Sequence, residues 1–257
     1  QNVQRFFNEA VAVSKIQHSG IGKIFDVGFH ESGRAYLVME FLEGETLAAK
    51  IKRLGRLTLS EISDVGQQIA SVLGAVHEAG VTHRDLKPDN IFLVRDRELI
   101  SGQRVKILDF GIAKISGPTS GLTATTAALM GTPWYMSPEQ WRNSGKVDWR
   151  ADAYSLGCVA FEMTTGRVPF DAETFGEICS KHLEERAPKP STLVPVPKVL
   201  DDLIGRLLAK APAERPDSMR LVADAFAALG DRPAKPAKKS PLSSSDPVVK
   251  APYRAHD

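Results

Sequence analysis

The stretch VTHRDLKPDN, residues Val81–Asn90, decides how the rest of the chain is interpreted. It lies between two apolar runs, yet it holds a histidine, an arginine, a lysine, two aspartates and an asparagine. A loop that only reversed the chain would be built from glycine, asparagine, aspartate or proline, without two basic side chains. A site for metal ions and a multiply charged phosphate needs both signs of charge, so the stretch predicts such a site.

The composition is that of an ordinary globular domain. The 257 residues are enough for a full core, with 42% hydrophobic and 25% charged residues. A net charge of +2 gives no reason to expect nucleic-acid binding. Cys158 and Cys179 lack metal-site spacing, so we expect buried thiols in a reducing, cytoplasmic compartment. No apolar run reaches the roughly 18 residues of a membrane span, so we expect membrane contact only through segments outside this chain.

Apolar periodicity predicts a small α/β part followed by a larger helical part. A helix is expected over 4–16, with strands over 21–29 and 35–41. Further on, the pattern predicts two short strands, one helix buried on all sides and three weaker helices, in the segments 90–94, 104–108, 152–166, 173–184, 198–209 and 217–229.

Local signals mark the ends of the longest predicted helix and two segments without clear periodicity. Thr58 and Glu61 fit a capping box at its start, and Gly80 fits the glycine that follows a helix end. Residues 109–140 show no clear period, and structureless segments of that length in a domain are usually functional or disordered. The Pro, Ala, Lys and Ser composition of 231–257 predicts disorder.

Two further motifs follow the opening stretch, ILDFGIAK at 107–114 and MGTPWYMSPEQ at 130–140. In this order and spacing the three motifs resemble the signature set of serine/threonine protein kinases, over about residues 4–230. The segment YLVMEFLEGETL at 36–47 most resembles bacterial, Hanks-type members of that family.

The resemblance implies an α+β, protein-kinase-like fold and a division of the chain into three parts. A truncated small lobe occupies 1–42, a complete and mainly helical large lobe 43–230, and a disordered linker 231–257. The implied reaction is transfer of the γ-phosphate of ATP to serine or threonine side chains of protein substrates, with Mg²⁺ as the metal.

The same resemblance assigns the catalytic residues. Asp85 would accept the proton of the substrate hydroxyl, and Lys87 would steady the γ-phosphate. Asn90 and Asp109 would hold Mg²⁺, a hard cation that suits amide and carboxylate oxygens. Phosphoryl transfer needs this positioning and neutralisation of charge more than covalent help from the protein.

The adenine site is implied at the end of the second predicted strand. Met39 would be the gatekeeper, and the backbone of the hinge from Glu40 to Leu42 would bond adenine. Phe92 would form the floor of the adenine pocket, where the family more often has leucine. Ordinary core packing is the alternative role for these apolar side chains.

Family positions with structural or regulatory roles fall on Glu9, His83, Arg84, Phe110, Gly111, Thr132, Glu139, Asp152 and Arg215. His83 would pack against Phe110. Asp152 would anchor the backbone of the catalytic loop, with a simple helix N-cap as the alternative. Glu139 and Arg215 would form a buried ion pair.

The resemblance also implies control by phosphorylation of the activation loop. Glu9 takes the place of the glutamate on the small-lobe helix, and Arg5 lies one turn before it on the same face. Arg5, Arg84 and Lys114 would bind the phosphate, unless they are merely solvated, and Thr132 would bond the catalytic aspartate and lysine. Autophosphorylation would take place in a homodimer. The candidate phosphorylation sites, in order of preference, are Thr126, Thr125 and Thr123.

Two parts of the family's ATP site cannot be found in the sequence. Only eight residues precede Glu9, and they contain neither glycine nor lysine, so the glycine-rich loop and the strand lysine are missing. Losing one preorganised phosphate-binding donor typically costs about 10²–10³ in rate. We therefore expect this chain to be an N-terminally truncated fragment with little activity of its own and an active full-length parent.

Two other functions compete with a protein kinase. A pseudokinase would use the fold as a binding module, although Asp85, Asn90 and Asp109 are all intact. A small-molecule phosphotransferase of the aminoglycoside or choline type shares a similar catalytic loop. Such enzymes lack the segment GTPWYMSPE, which in protein kinases docks peptide substrates.

Overall fold

The computed structural model describes residues 12–31, 35–110, 133–143 and 147–230. Of the helix predicted over 4–16, only the end is described, and residues 12–14 are helical. Several residues named from the sequence lie outside the described residues: Arg5, Glu9, Gly111, Lys114, Thr123, Thr125, Thr126 and Thr132.

In the described part of the chain, five strands form two antiparallel sheets. β1 (Ile24–Phe29) pairs with β2 (Ala35–Met39). β3 (Gly44–Thr46), β4 (Ile91–Arg95) and β5 (Gln103–Ile107) form the second sheet in the order β3-β4-β5. The four strands predicted from alternation are confirmed with slightly different ends. β3 was not predicted, because three residues are too few to show a period of two.

Besides the helical residues 12–14, the described residues contain seven α-helices: α1 (Leu47–Leu54), α2 (Leu59–Glu78), α3 (Pro138–Asn143), α4 (Arg150–Thr165), α5 (Phe175–Glu184), α6 (Lys198–Leu207) and α7 (Met219–Gly230). Short 3₁₀ turns lie at Pro88–Asn90, Pro133–Tyr135, Pro190–Thr192 and Pro212–Glu214. The predicted helices α2, α4, α5, α6 and α7 are confirmed. The prediction missed α1, which is short, and α3, which lies inside the segment without periodicity.

The capping box of α2 is confirmed. The Thr58 amide donates to the Glu61 carboxylate at 2.9 Å, and the Glu61 amide donates to the Thr58 hydroxyl at 3.3 Å. At the other end Gly80 has φ +75°, which a side chain rarely tolerates. These two signals fix where the helix begins and where it stops, and its end determines where the catalytic loop begins.

The core of the helical part is built around α4 and α2. Nearly every residue of α4 is buried, as its apolar composition on all sides predicts. On α2, a β-carbon at Gly66 would lie 2.5 Å from the Phe226 ring of α7, so glycine allows these helices to approach closely. No helix among the described residues combines the length and apolar composition needed to cross a membrane.

The segment before β1 rests on the edge of β5. The Ile107 amide donates to the Gly20 carbonyl at 2.8 Å, and the Gly22 amide donates back to the Ile107 carbonyl at 3.4 Å. Ile21 and Ile107 thereby form a parallel bridge. The two-stranded sheet is thus joined to the three-stranded one close to the end of β5.

Candidate active site

The catalytic loop lies between α2 and β4, and a buried carboxylate holds its backbone. The amides of His83 and Arg84 each donate to Asp152 of α4 at 2.8 Å. Asp152 is fully buried, and Arg84 has the unusual φ of +63°. The residue that caps α4 is Trp149, whose side chain makes no cap bond, so the N-cap alternative for Asp152 is wrong. The carboxylate instead fixes the backbone of His83 and Arg84, the two residues that precede Asp85.

His77, which the sequence did not single out, supplies a third contact to this carboxylate. Its Nε2 lies 2.7 Å from Asp152 Oδ2, and its ring lies against Trp149 with centroids 5.8 Å apart. In the sequence, a histidine in the last turn of a helix fits a partner for the helix dipole equally well. No signal in a single sequence points to a carboxylate that lies 75 residues further along the chain.

His83 links the catalytic loop to the segment that carries Asp109. Its Nδ1 accepts a hydrogen bond from the Asp85 amide at 3.2 Å, so Nε2 carries the proton and donates to Leu108 O at 3.0 Å. The ring lies 4.9 Å from that of Phe110. Complete burial lowers the pKa of His83, which keeps the imidazole neutral and in this tautomer.

Three of the four predicted catalytic side chains, those of Asp85, Lys87 and Asn90, lie together. Asn90 Nδ2 donates to the Asp85 carbonyl at 2.8 Å and lies 3.4 Å from the Asp85 carboxylate. Lys87 Nζ lies 3.7 Å from the same carboxylate, which is 19% exposed. The Leu108 amide donates to the Asn90 carbonyl at 2.9 Å, which brings Asp109 alongside. Asp109 itself is exposed and has φ +53°.

Asn90 and Asp109 suit a magnesium ion that arrives with its phosphates. Mg²⁺ usually binds one or two protein ligands and fills its other positions with phosphate oxygens and water. Because the Asn90 nitrogen is used on Asp85, its amide oxygen is left for a cation. Within the described ranges, no group of three or more histidine, cysteine, aspartate or glutamate side chains could hold a metal by itself.

The residues predicted for adenine lie at the junction of the two sheets. Met39 ends β2 and is 37% exposed, and Leu42 follows it with partial burial. Phe92 of β4 is half-buried and pairs in register with Lys106 of β5. The Glu40 carboxylate binds Lys106 Nζ at 2.6 Å, a contact that sequence analysis missed because Lys106 fits an ordinary strand position.

Glu139 of α3 and Arg215 form a bidentate ion pair. Arg215 Nη1 and Nη2 donate to the two oxygens of Glu139 at 2.6 and 2.9 Å, the geometry of the strongest guanidinium–carboxylate pairs. Arg215 is only 2% exposed. Its remaining donors reach backbone carbonyls of Arg150, Ala209 and Lys210.

A family profile described as the protein kinase domain matches residues 1–227. The chain belongs to the protein kinase family. It is 38% identical to the serine/threonine-protein kinase pkn3 of Myxococcus xanthus over 233 residues, which are 89% of this chain and 41% of that protein. It is 37% identical to the serine/threonine-protein kinase PknA of Mycobacterium tuberculosis over 253 residues, 96% of this chain and 56% of that protein. The chain thus spans about half the length of these relatives, which identify it as a bacterial, Hanks-type member.

A solved structure agrees with this assignment. The kinase domain of PknI from Mycobacterium tuberculosis, crystallised as a double mutant, aligns with a TM-score of 0.66 and 27% identity. The alignment covers 89% of this chain and 78% of that one. The fold is therefore that of a protein kinase, α+β with few strands and a helical large lobe.

A glutamine of α3 also supports the kinase catalytic loop and was not predicted. Gln140 Nε2 donates to the Arg84 carbonyl at 2.8 Å, and its oxygen accepts the Ser137 amide at 3.0 Å. In the 3₁₀ turn before α3, the Tyr135 hydroxyl donates to Glu162 of α4 at 2.6 Å. The Arg84 Nε is buried and has no hydrogen-bond partner in the described part of the chain.

Proposed function

We propose that this chain carries the catalytic site of a protein serine/threonine kinase, which transfers the γ-phosphate of ATP to serine or threonine of a protein substrate. One observation carries the proposal beyond family membership. The Asp85 carboxylate lies 3.7 Å from Lys87 Nζ and 3.4 Å from Asn90 Nδ2, on a loop held by a buried aspartate. A binding module with no reaction to perform has no need for this arrangement.

Asp85 and Lys87 divide the work on the reacting groups. The Asp85 carboxylate accepts the proton of the substrate hydroxyl as that oxygen attacks the γ-phosphate. The Lys87 ammonium sits beside it and offsets the negative charge of the phosphate. Because Asp152 holds the amides of His83 and Arg84, the carboxylate needs little rearrangement when a substrate binds.

ATP and Mg²⁺ are assigned to the two ends of the site. Asn90 and Asp109 hold Mg²⁺, which neutralises phosphate charge when it is bound. The adenine base lies at the hinge, against Met39 and Phe92, with the backbone from Glu40 to Leu42 as its hydrogen-bonding edge.

Regulation by an activation-loop phosphate is part of the proposal. A buried guanidinium nitrogen of Arg84 without a described partner suits a phosphate ligand. We assign Arg5 and Lys114, which lie outside the described residues, to the same phosphate, and Thr126 is the preferred phosphorylated residue, ahead of Thr125 and Thr123. Phosphorylation between the two copies of a homodimer in the cytoplasm is the route we favour.

Phosphate transfer measured in the natural protein that contains this chain tests the proposal. With MgATP and a general substrate such as myelin basic protein, we expect label on serine and threonine. Asp85→Asn should lower kcat by about 10²–10⁴, the usual contribution of a general base. Asp202→Asn, at an exposed position on α6, is the control.

Three results would overturn parts of the assignment. Equal transfer by the wild type and by Asp85→Asn would remove Asp85 from its role. MgATP binding without any transfer would turn the chain into a binding module that uses the kinase fold. Phosphorylation of a small alcohol in preference to every protein tested would change the substrate class.

A further inference from the structure

Lys106 is a buried lysine that the reaction, as described above, does not use. It lies on β5, three residues before Asp109, and is only 8% exposed. Its Nζ lies 2.6 Å from Glu40 Oε1 and 3.3 Å from the Ile21 carbonyl. Lysine is almost never buried unless it is paired, so these acceptors hold the ammonium where it is.

Glu40 is fixed by its backbone as well as by its side chain. The Glu40 amide donates to the Lys23 carbonyl at 2.9 Å, and the Lys23 amide donates to Glu40 Oε1 at 2.8 Å. Partial burial by itself would raise the pKa of Glu40, but the hydrogen bonds from Lys106 and the Lys23 amide outweigh it and lower the pKa. The carboxylate is therefore charged at neutral pH and turned toward β5.

The other end of this connection is the strand that presents Asp109. Ile107, next to Lys106, exchanges backbone hydrogen bonds with Gly20 and Gly22. The carbonyl of the following residue, Leu108, accepts a hydrogen bond from His83 Nε2, and the Leu108 amide donates to the Asn90 carbonyl. Lys106 thus lies between the hinge and the backbone that fixes the proposed metal ligands.

We propose that Lys106 is a positioning residue, which through Glu40 fixes the hinge at a set distance from Asp109. This inference rests on the proposed function, because it assigns adenine to the hinge and Mg²⁺–phosphate to Asn90 and Asp109. If the ion pair is lost, the hinge is held to β5 only through the backbone bonds of the segment 20–23, so its distance from Asp109 varies more. The nucleotide then makes its contacts at both ends of the site less often at the same time. Loss of the ion pair should therefore lower the affinity for the nucleotide more than the rate of the chemical step.

The test compares Lys106→Met, Glu40→Gln and the double variant in the natural protein that contains this chain. Each single variant should raise the KM for ATP about 5- to 30-fold, the equivalent of one strong contact, with kcat changed less than about threefold. The double variant should be no worse than either single one, because both remove the same contact. Lys106→Arg, which keeps the charge, should recover part of the affinity.

Matched controls separate positioning from simple loss of stability. Lys52→Met removes an exposed lysine of α1 and should leave the KM for ATP unchanged. The thermal midpoint is recorded for every variant with and without MgATP. Positioning predicts that Lys106→Met mainly loses the increase in midpoint that MgATP produces, whereas a purely structural role predicts a lower midpoint with KM unchanged.

The outcomes distinguish this inference from the proposed function. If the wild type transfers phosphate and Lys106→Met behaves as Lys52→Met does, the inference is wrong and the kinase assignment stands. A variant with lower kcat at unchanged KM, or with higher activity, also contradicts it. If the wild type transfers nothing, the kinase assignment fails, and the effect of MgATP on the thermal midpoint still decides whether Lys106 supports nucleotide binding.

Discussion

The two sheets of this kinase differ in what holds them. Next to the three-stranded sheet, the buried Asp152 holds the loop that leads toward β4, and the buried His83 bonds to the Leu108 carbonyl just after β5. Half of the residues of β4 and β5 are buried, and only one is exposed. The two-stranded sheet of β1 and β2 leaves large apolar side chains in water. At the hairpin and the hinge after it, the more exposed of these are Phe25 (67%), Phe29 (55%), Val38 (45%) and Phe41 (89%).

This difference has a consequence for catalysis. Buried hydrogen-bonded charges hold the end of the site that we assign to the phosphates in one geometry before any ligand arrives. The end that we assign to adenine depends on the hinge, which is held by fewer contacts, chiefly those of Glu40 with Lys23 and Lys106. Substitutions should therefore cost most in the helical part and least on the hairpin.

The largest effect is expected at the buried ion pair. Arg215→Met should lower the free energy of unfolding by about 3–5 kcal/mol, since it leaves the Glu139 carboxylate without its partner. Urea denaturation followed by circular dichroism measures this change. Arg206→Met, on the exposed face of α6, is the control and should stay within about 0.5 kcal/mol. If Arg215→Met lowers the free energy of unfolding only slightly, buried charges are not what stabilises the helical part.

The next largest effect should be a loss of folding stability at low pH, caused by a buried histidine of the helical part. Burial lowers the pKa of His182 to about 3, and the nearby Lys210 adds to this. The unfolded chain binds a proton on this imidazole below pH 6.5, and the folded chain does not, so stability falls as the pH falls. Between pH 6.5 and 4.5, His182 should lower the free energy of unfolding by about 2 kcal/mol.

Denaturation curves of wild type and His182→Asn, recorded from pH 7.5 to 4.5, isolate this contribution. The carboxylates that titrate in the same range are shared by both proteins, so the difference in slope belongs to His182. Asparagine loses the bond to the Tyr154 hydroxyl, 2.9 Å away, and should lower stability at pH 7.5. Parallel slopes below pH 6.5 would show that the folded protein protonates His182.

The sequence predicted the parts of the site whose chemistry leaves little choice of residue. Asp85, Lys87, Asn90 and Asp109 belong to the motifs that carry the likeness to protein kinases. In the structure Lys87 and Asn90 lie beside Asp85, and Leu108, next to Asp109, bonds to Asn90. Their catalytic roles stay a prediction. The capping residues of α2 and the continuous apolar run of α4 were predictable for the same reason. Each is a local pattern with a direct physical cause.

The polar contacts between distant residues could not be predicted in this way. Lys106 and Glu40 are 66 residues apart, and Lys106 occupies one polar position in an otherwise ordinary strand. His77 and Gln140 likewise meet their partners only after folding. The Glu139–Arg215 pair came from the likeness to a family, since nothing between the two residues indicates that they meet.

A packing change inside the helical part should have a smaller effect. In Gly66→Ala the new β-carbon would lie 2.5 Å from the Phe226 ring, so α2 and α7 must separate or the ring must turn. Overpacking of this kind typically costs about 1–3 kcal/mol. Gly205→Ala is the matched control in α6, where a β-carbon meets nothing within 4 Å. The control should gain up to about 1 kcal/mol, because alanine favours a helix.

The smallest effect is expected on the hairpin. Phe25→Thr keeps a residue that suits a strand and removes an exposed ring, so stability should change by less than about 0.5 kcal/mol. Leu37→Thr, on β2, is its counterpart on the side packed against the core, and it should cost clearly more. Thermal unfolding compares the two, and light scattering at high concentration should show less self-association for Phe25→Thr, because the exposed apolar patch shrinks. If both variants lose the same stability, side chains on both faces of the hairpin stabilise the fold. The two sheets would then not differ in the way described.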